Sequence, residues 1–579
     1  LKKNKKPLHQ KIGQWLEENS PLNDIQSLLF IAYHFEQAEN FAKASLYYEK
    51  AADIAAENFS NEDAIKLYNK AIETSENNQN SNKNLFIKIA EIKLRIAKYD
   101  EAIKDIDKAL SLTEKTGSKE NLILRNKALR YKSNIFLVKG EFSKALETAV
   151  QSLELAESNK LIEETAHSLI LLAHIYRYGG DYTLSLQHSN QAIPLMKQIQ
   201  DYNGLSNAYY AIGVCYFRLG NYEEAKKAFL KAKNISTEKQ IKATLPRIYE
   251  GLGALKAQRG QYKKSYNYFI KASKAYRQIG HISGMASTYI NLGVVLYYLG
   301  KWEKSFKFQK KALHATQLIG DKEGQALCMS NISMLMKNFG NFKKALKYAN
   351  QSLSIRKLIK DKNGEAYSLN NIASILLDLH ASESEISSFL KEAISISTAI
   401  KSIEQKSYAL TLQAKLFLQM KNFQQSIQNA ELAHKLALEI KNNEKILESR
   451  FVLLENAILL ENFQYAKKLL STTMKRAKRL KQKNFYLIAL FFKAWLYKSL
   501  NKLNISQNIL ASIMKQVNKM NFLTLKIKTY QLLYSTYIKS DNKQKAMETD
   551  EKLKNIIKNV ERNIPHPYKK SWLNSLALE

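Results

Sequence analysis

One interval constrains this chain more than any other feature: an aromatic residue stands at Phe142, Tyr182, Tyr222, Tyr262, Trp302 and Phe342, each 40 residues from the last. A fixed period of this length signals stacked copies of one supersecondary unit, because a single copy cannot bury its apolar face alone. Two residues before each aromatic stands a glycine, at Gly140, Gly180, Gly220, Gly260, Gly300 and Gly340. Nine before it the residue is always small: Ser133, Ala173, Gly213, Gly253, Gly293 and Ser333, with Ala373 following after a one-residue slip. Three after it the residue is small again: Ala145, Ser185, Ala225, Ser265, Ser305 and Ala345. Small residues at fixed offsets on two successive helical stretches predict paired helices whose backbones approach closely. The glycine is expected to end the first helix in the left-handed conformation, and the aromatic to fill the wedge between the pair. Each pair should touch only its neighbours, as in a quasi-linear stack.

The register runs beyond the best copies. Upstream, Tyr99 with Ala90 and Ala102 forms one unit and Phe41 with Ala32 and Ala44 another, while Ala64, Tyr68 and Ala71 mark a helix sharing the one before it. Downstream, Phe423, Phe463, Leu503 and Lys543 keep the step, followed by Ser426, Ala466, Ser506 and Ala546. Decay of the pattern toward Lys543 suits a terminal capping unit. "SENNQNSNKN" reads as a polar connector, and "LHASESEISS" lacks the aromatic and carries one inserted residue, so a change of superhelical path is expected there. Pro246 should open a helix capped by Thr244, and Pro194 should kink one.

A formal charge of +36 invites an acidic partner or nucleic acid. Its make-up favours composition instead: only 13 of the 89 basic residues are Arg, the side chain suited to bidentate phosphate and base recognition. Nucleic-acid binding is the lesser reading, also for the cationic cluster "MKRAKRLKQK" from Met474, which lacks interleaved aromatics. Cys215 and Cys328 lie in apolar helical patterns and read as core residues of a reduced compartment, which favours the cytoplasm. No signal peptide is apparent, and the most apolar run, from Phe485, is broken by Lys493, so no membrane insertion is expected.

No phosphate loop, nucleophile elbow, HExxH or paired CxxC is present, so no catalytic residue and no cofactor are expected. His167 and His174 are seven residues apart, which without carboxylates reads as a structural or surface pair rather than a metal site.

The stretch "IGVCYFRLGNYEEAKKAFLKA", with Gly213, Tyr216, Gly220, Tyr222, Ala225, Phe229 and Ala232, resembles the tetratricopeptide repeat over its full helix-turn-helix length. The longer period, with a second glycine series at Gly204, Gly284, Gly324 and Gly364, is similar to the lengthened subclass of peptide-sensing regulators, spindle-orientation scaffolds and signalling ATPase arms. The resemblance implies an all-α fold: a tetratricopeptide-type α-solenoid, a right-handed superhelix of antiparallel helix pairs. Stacked pairs make a concave groove lined by first helices, which suits a protein or peptide ligand. Asn291, Asn331 and Asn371 form a ladder there; in resembling families such asparagines bond a peptide backbone, whereas the plainer reading is that they hold the next helix. Tyr210, Arg218, Arg177, Tyr297, Tyr298, Tyr367 and Asn370 are candidates on the same face, with arginine able to pair with acidic side chains.

Leu8 to Glu73 is similar to the junction between an ATPase module and its repeat arm in signal-transduction ATPases with numerous domains, the STAND class. Because the chain begins with Leu, it is read as a piece of a longer protein. The organisation expected is a helical tail of a preceding domain (1–22), N-terminal repeat-like helices (23–76), a polar connector (77–84), a regular array (85–379), an irregular repeat (380–400), degenerate repeats (401–556) and an exit segment toward a further domain (557–579). The function expected is a non-enzymatic binding scaffold, as the sensor arm of a larger bacterial signalling protein. A free-standing adaptor is the alternative, and a basic nucleic-acid-binding solenoid the third.

Overall fold

The computed structural model describes residues 5–58, 60–75, 82–96, 98–113 and 118–576. The described residues form 29 α-helices with a 3-10 turn at His566–Tyr568, and no strand. Residues 77–81 of the expected connector lie outside them, and its last three residues already belong to the helix Asn82–Arg95.

Helices begin where the period puts them. The second (B) helices are Phe142–Ser158, Tyr182–Gln198, Tyr222–Glu238, Tyr262–Gln278, Trp302–Leu318 and Phe342–Leu358. Their first (A) helices are Lys119–Val138, Ile162–Tyr178, Tyr202–Arg218, Leu245–Gln258, Ile282–Tyr298 and Lys322–Asn338. The hairpin glycines take the left-handed conformation expected of them, with φ of +80° at both Gly140 and Gly220. Gly220 and Asn221 then donate back to Phe217 and Tyr216 carbonyls at 3.1 and 2.8 Å, satisfying the end of the A helix. At the irregular repeat His380 takes this role with φ 49°, and the inserted residue is absorbed in the turn before a B helix that starts at Glu383.

The two small positions meet as expected, and the serines do more than leave room. Ser133 Oγ donates to Ala145 O at 2.6 Å, and Ser185, Ser265 and Ser305 donate to the carbonyls of Ala173, Gly253 and Gly293 at 2.7 Å. The aromatic, by contrast, is not the plug of its own pair. A Cβ on Gly213 would lie 2.6 Å from the Phe229 ring, and one on Gly253 would lie 2.9 Å from Phe269. The wedge is therefore filled by the residue seven after the aromatic, two turns into the B helix and opposite the small A-helix site. The aromatic stands at the mouth of the hairpin, where Phe142 packs over Gly179 of the next unit.

Connector aspartates cap the following A helices: Asp201, Asp321 and Asp361 accept from the Gly204, Gly324 and Gly364 N–H groups at 2.8–2.9 Å. Pro246 sits in the first turn of its helix, and Thr244 before it accepts the Ile248 N–H through its carbonyl at 3.2 Å, while its hydroxyl meets Ser236 at 2.7 Å. The helix Tyr182–Gln198 continues through Pro194. Both cysteines are fully buried, and the apolar run from Phe485 supplies core residues of the helix Lys483–Ser499.

The chain divides into two compact units, residues 1–251 and 252–579. In the first, hairpin packs on hairpin. Its helix Lys5–Asn19 lies on Ile25–Gln37, with Gly13 under the Phe35 ring and the Glu17 carboxylate accepting from Lys43 Nζ and the Tyr47 hydroxyl at 2.6 Å.

In the second unit the expectation of neighbour-only contact fails. Tyr262 meets Gln482 (Nε2 to hydroxyl, 3.1 Å), Trp302 meets Phe522 (ring centroids 4.7 Å apart), and the Lys343 N–H donates to Asn563 O at 2.9 Å. Each contact spans 220 residues, five and a half periods. The coil completes a turn, and each hairpin turn docks against a connector from the turn that follows. Docking explains why Trp302 is only 1% exposed while Tyr182 and Tyr222, the same position in the first unit, are half-buried. The end of the chain extends the closure: Tyr568 donates to Glu385 at 2.6 Å, Ser571 to the Leu379 carbonyl at 3.2 Å, and Trp572 is buried in the core with Ile386 and Leu390.

Candidate functional site

In the first unit three successive A helices bring cations to one tyrosine. Arg177 (from Ile162–Tyr178) and Arg247 (from Leu245–Gln258) place their guanidinium carbons 6.0 Å from the Tyr210 ring centroid, within reach of a cation–π attraction. Arg218, at the end of the A helix that carries Tyr210, and Glu250 also bear on its hydroxyl, and burial raises the hydroxyl's pKa. Beside them, burial followed by repulsion from Arg177 and Arg247 pushes the His174 imidazole down to about 4. Among the described residues, none of the three arginines has a carboxylate in ion-pair contact, and the buried Nε of Arg177 has no hydrogen-bond partner. His167 faces Glu163 and Asp201 at 3.9 and 3.8 Å instead of sharing a site with His174. Among the described residues no group of three or more metal-ligating side chains occurs.

In the second unit the A helices Ile282–Tyr298, Lys322–Asn338, Lys362–Asp378 and Ile403–Gln419 contribute side chains to one small cavity, and Asn443–Leu459 brings Glu444 to bear on Tyr298. Tyr297 accepts from Asn338 Nδ2 at 3.3 Å and stacks on Trp302. Tyr298 packs on Tyr262, and Tyr367 donates to Met334 Sδ at 3.4 Å. Burial and then Glu444, four A helices on, raise the Tyr298 hydroxyl. Burial also raises Glu444 itself, whose carboxylate accepts from Gln482 at 2.6 Å. Lys445 lies 3.5 Å from the Tyr408 ring centroid and pairs with Glu448 at 2.9 Å. Around Asp378, burial alone would raise the carboxyl, yet Lys337, Lys528 and Lys415 hold it below its ordinary value.

The asparagines of the expected ladder differ in their surroundings. Asn371 is buried and lines a cavity of about 60 Å³ with Tyr297, Lys337, Asn338 and Tyr408. Asn331 is partly buried with its Nδ2 unpartnered, and Asn291 is partly buried. Asn370 is fully buried and donates to the Gln405 carbonyl at 3.1 Å, holding the next A helix rather than facing the groove. The basic cluster is also partly structural: Arg476 donates to Asn443 at 2.6 Å, and Lys481 packs by Gly260 in the closure.

Arg247, Lys337, Asp378, Lys415 and Lys528 are not among the residues expected from the sequence. A usable signal existed for several of them. Lys337 stands one period after Tyr297, and Arg247 three periods before Tyr367.

These observations define an α-solenoid of helical hairpins. A tetratricopeptide-repeat family model matches residues 164–238 and 284–358, and the same 40-residue period continues on both sides of these segments. No curated protein matches it in sequence. Similar solved structures include a Rap protein complexed with competence and sporulation factor (11% identity, 63% of this chain and 99% of that one, TM-score 0.48). Another is a signal-transduction ATPase with numerous domains and a tetratricopeptide sensor from Pyrococcus horikoshii (13%, 73% and 74%, TM-score 0.45). A third is the apo quorum sensor NprR from B. thuringiensis (13%, 62% and 99%, TM-score 0.45). Likeness at these identities concerns the fold alone. No described helix is long and apolar enough to cross a membrane.

Proposed function

We propose that the chain is a protein- or peptide-binding scaffold, and that the A-helix face around Tyr210 receives an acidic segment of its partner. The observation that carries this reading is two guanidinium groups, of Arg177 and Arg247, each 6.0 Å from the ring centroid of one tyrosine, with the buried Nε of Arg177 lacking a hydrogen-bond partner among the described residues. Guanidinium groups left unpaired beside an aromatic face suit carboxylates, which would form charge-assisted bonds while the ring shields them from water. A role as the sensor arm of a larger signalling protein is compatible with this reading and rests on the resemblance of residues 8–73 to an ATPase junction.

The test is fluorescence anisotropy on the full chain with randomised peptide pools matched in length and differing in acidic content. Acidic pools should bind, and Arg177→Ala with Arg247→Ala should weaken binding at least tenfold while Lys242→Met leaves it unchanged. Equal binding of acidic and basic pools, or binding indifferent to the arginine changes, would refute the assignment.

A further inference from the structure

Positive charge is concentrated on three successive B helices of the second unit. Tyr262–Gln278, Trp302–Leu318 and Phe342–Leu358 carry five, four and five Lys and Arg residues against one acid, Glu303. The B helices before and after them in the chain, Tyr222–Glu238 and Glu383–Ala399, carry four and one against three acids each. A drift in composition acts on every helix alike and does not produce such a step. In the first turns of the three helices, Lys264, Lys304 and Lys344 hold one register position, all exposed and without a side-chain ion pair or hydrogen bond among the described residues.

The closure sets a second bank of cations against the first. A Cβ on Gly260 would lie 3.4 Å from the Leu480 carbonyl oxygen and 3.7 Å from Lys481, and one on Gly300 would lie 3.0 Å from Lys483. The end of the helix Phe463–Leu480, with Lys478 and Arg479 in its last turn, thus stands beside the hairpin turns that lead into Lys264 and Lys304. Lys481 and Lys483 are also exposed and unpaired among the described residues. Between them Gln482 bonds Glu444, whose carboxylate is turned inward to Gln482 and Tyr298. At the third step Lys343 Nζ donates to the Arg562 carbonyl at 3.2 Å, and the adjacent Glu561 is already paired with Lys569 at 2.8 Å. Cations distant in sequence therefore share one seam with few carboxylates to offset their repulsion.

We infer that this seam binds the phosphodiester backbone of a duplex nucleic acid without reading its bases. Ammonium groups act on phosphates as point charges and need no bidentate geometry, so the scarcity of Arg, which disfavours base recognition, does not weaken backbone contact. The row Lys264, Lys304 and Lys344 repeats from hairpin to hairpin, as phosphates repeat along a strand. Tyr262, Trp302 and Phe342, the aromatics that lead these helices, are buried, which leaves them unable to enter a membrane interface or stack on unpaired bases. The inference makes no use of the Tyr210 face and stands whether or not that face receives peptides.

The experiment is fluorescence anisotropy of the full chain with labelled short DNA duplexes of two unrelated sequences over a salt series. Both should bind alike, and log K should fall against log salt with a slope of about −4 or steeper, at about 0.9 per phosphate neutralised. Reversing the row (Lys264→Glu, Lys304→Glu and Lys344→Glu together) should weaken binding at least tenfold and flatten the slope, with an unchanged melt because none of the three has a partner to lose. The same change of net charge at the exposed turn residues Lys401, Lys421 and Lys441, each to Glu, should leave binding nearly unaltered, as should Arg177→Ala with Arg247→Ala. Equal loss in the two triple variants would reduce the effect to overall charge and overturn the site. So would absence of duplex binding at low salt, or polyglutamate or phosphatidylserine vesicles binding as tightly as the duplex.

Discussion

Replacing Trp302 with alanine isolates the closure of the second unit. The indole is 1% exposed, stacks on Tyr297 with centroids 5.3 Å apart, meets Phe522 edge-on at 4.7 Å and donates from Nε1 to the Tyr297 carbonyl at 2.9 Å. Truncating a buried Trp to Ala destabilises by about 3–5 kcal/mol, of which the Phe522 pair supplies about 0.5–1.5 kcal/mol. At 1.36 kcal/mol per tenfold, local opening should rise by roughly a hundredfold to a few thousandfold. Hydrogen exchange read by mass spectrometry on the full chain separates the parts: peptides around Trp302 and around Phe522 should both lose protection, although 220 residues separate them. Tyr222→Ala, at the same register in the first unit, should affect only adjoining hairpins. A cycle with Phe522→Ala should return the pair energy as coupling. If Trp302→Ala loosened its own hairpin but left amides near Phe522 as slow as before, the closure would not contribute to stability.

Gly213→Ala should destabilise by about 1–3 kcal/mol despite alanine's better helix propensity, because the new methyl meets a Phe229 ring already wedged against Gly251; Phe229→Leu should restore part of the loss in a urea melt. At Gly140 a Cβ meets nothing within 4 Å, so Gly140→Ala should lose only the left-handed strain of about 1–2 kcal/mol, and Gly140→Asn less, a ranking that equal melts would refute. His174 is held at about 4 against an ordinary 6.5, so its stabilising contribution is whole above pH 6.5 and is lost as pH falls toward 4, where the unfolded chain takes up the proton first. Urea midpoints across that window should decline, and less steeply in His174→Gln.

The hairpin geometry was legible because it is local: Gly220, Gly213 and Ala225 each report a backbone requirement within one unit, and the helices begin at the residues the period names. The plug was misplaced because a recurrent aromatic is more conspicuous than Phe229, Phe269 and Gln309, which share a position but not a chemistry. Closure was not legible at all, since nothing in Tyr262 or Trp302 as letters says that Gln482 or Phe522 will cover them; that depends on the accumulated twist of five intervening hairpins. Of the inner-face candidates, Arg177, Tyr210 and Arg218 come together. Asn370 does not join them, because one residue along a helix rotates a side chain by about a quarter turn, enough to move it from groove to interface.

The half-integral offset across the closure has a consequence for how this chain can change. Most solenoids lengthen or shorten by whole copies, since every junction resembles every other. Here, inserting or deleting one copy between Tyr262 and Gln482 would carry all the docking partners past one another by 40 positions at once. The number of hairpins in this stretch is thus locked, much as strand number is locked in a closed barrel, and variation by duplication is confined to the segments outside it.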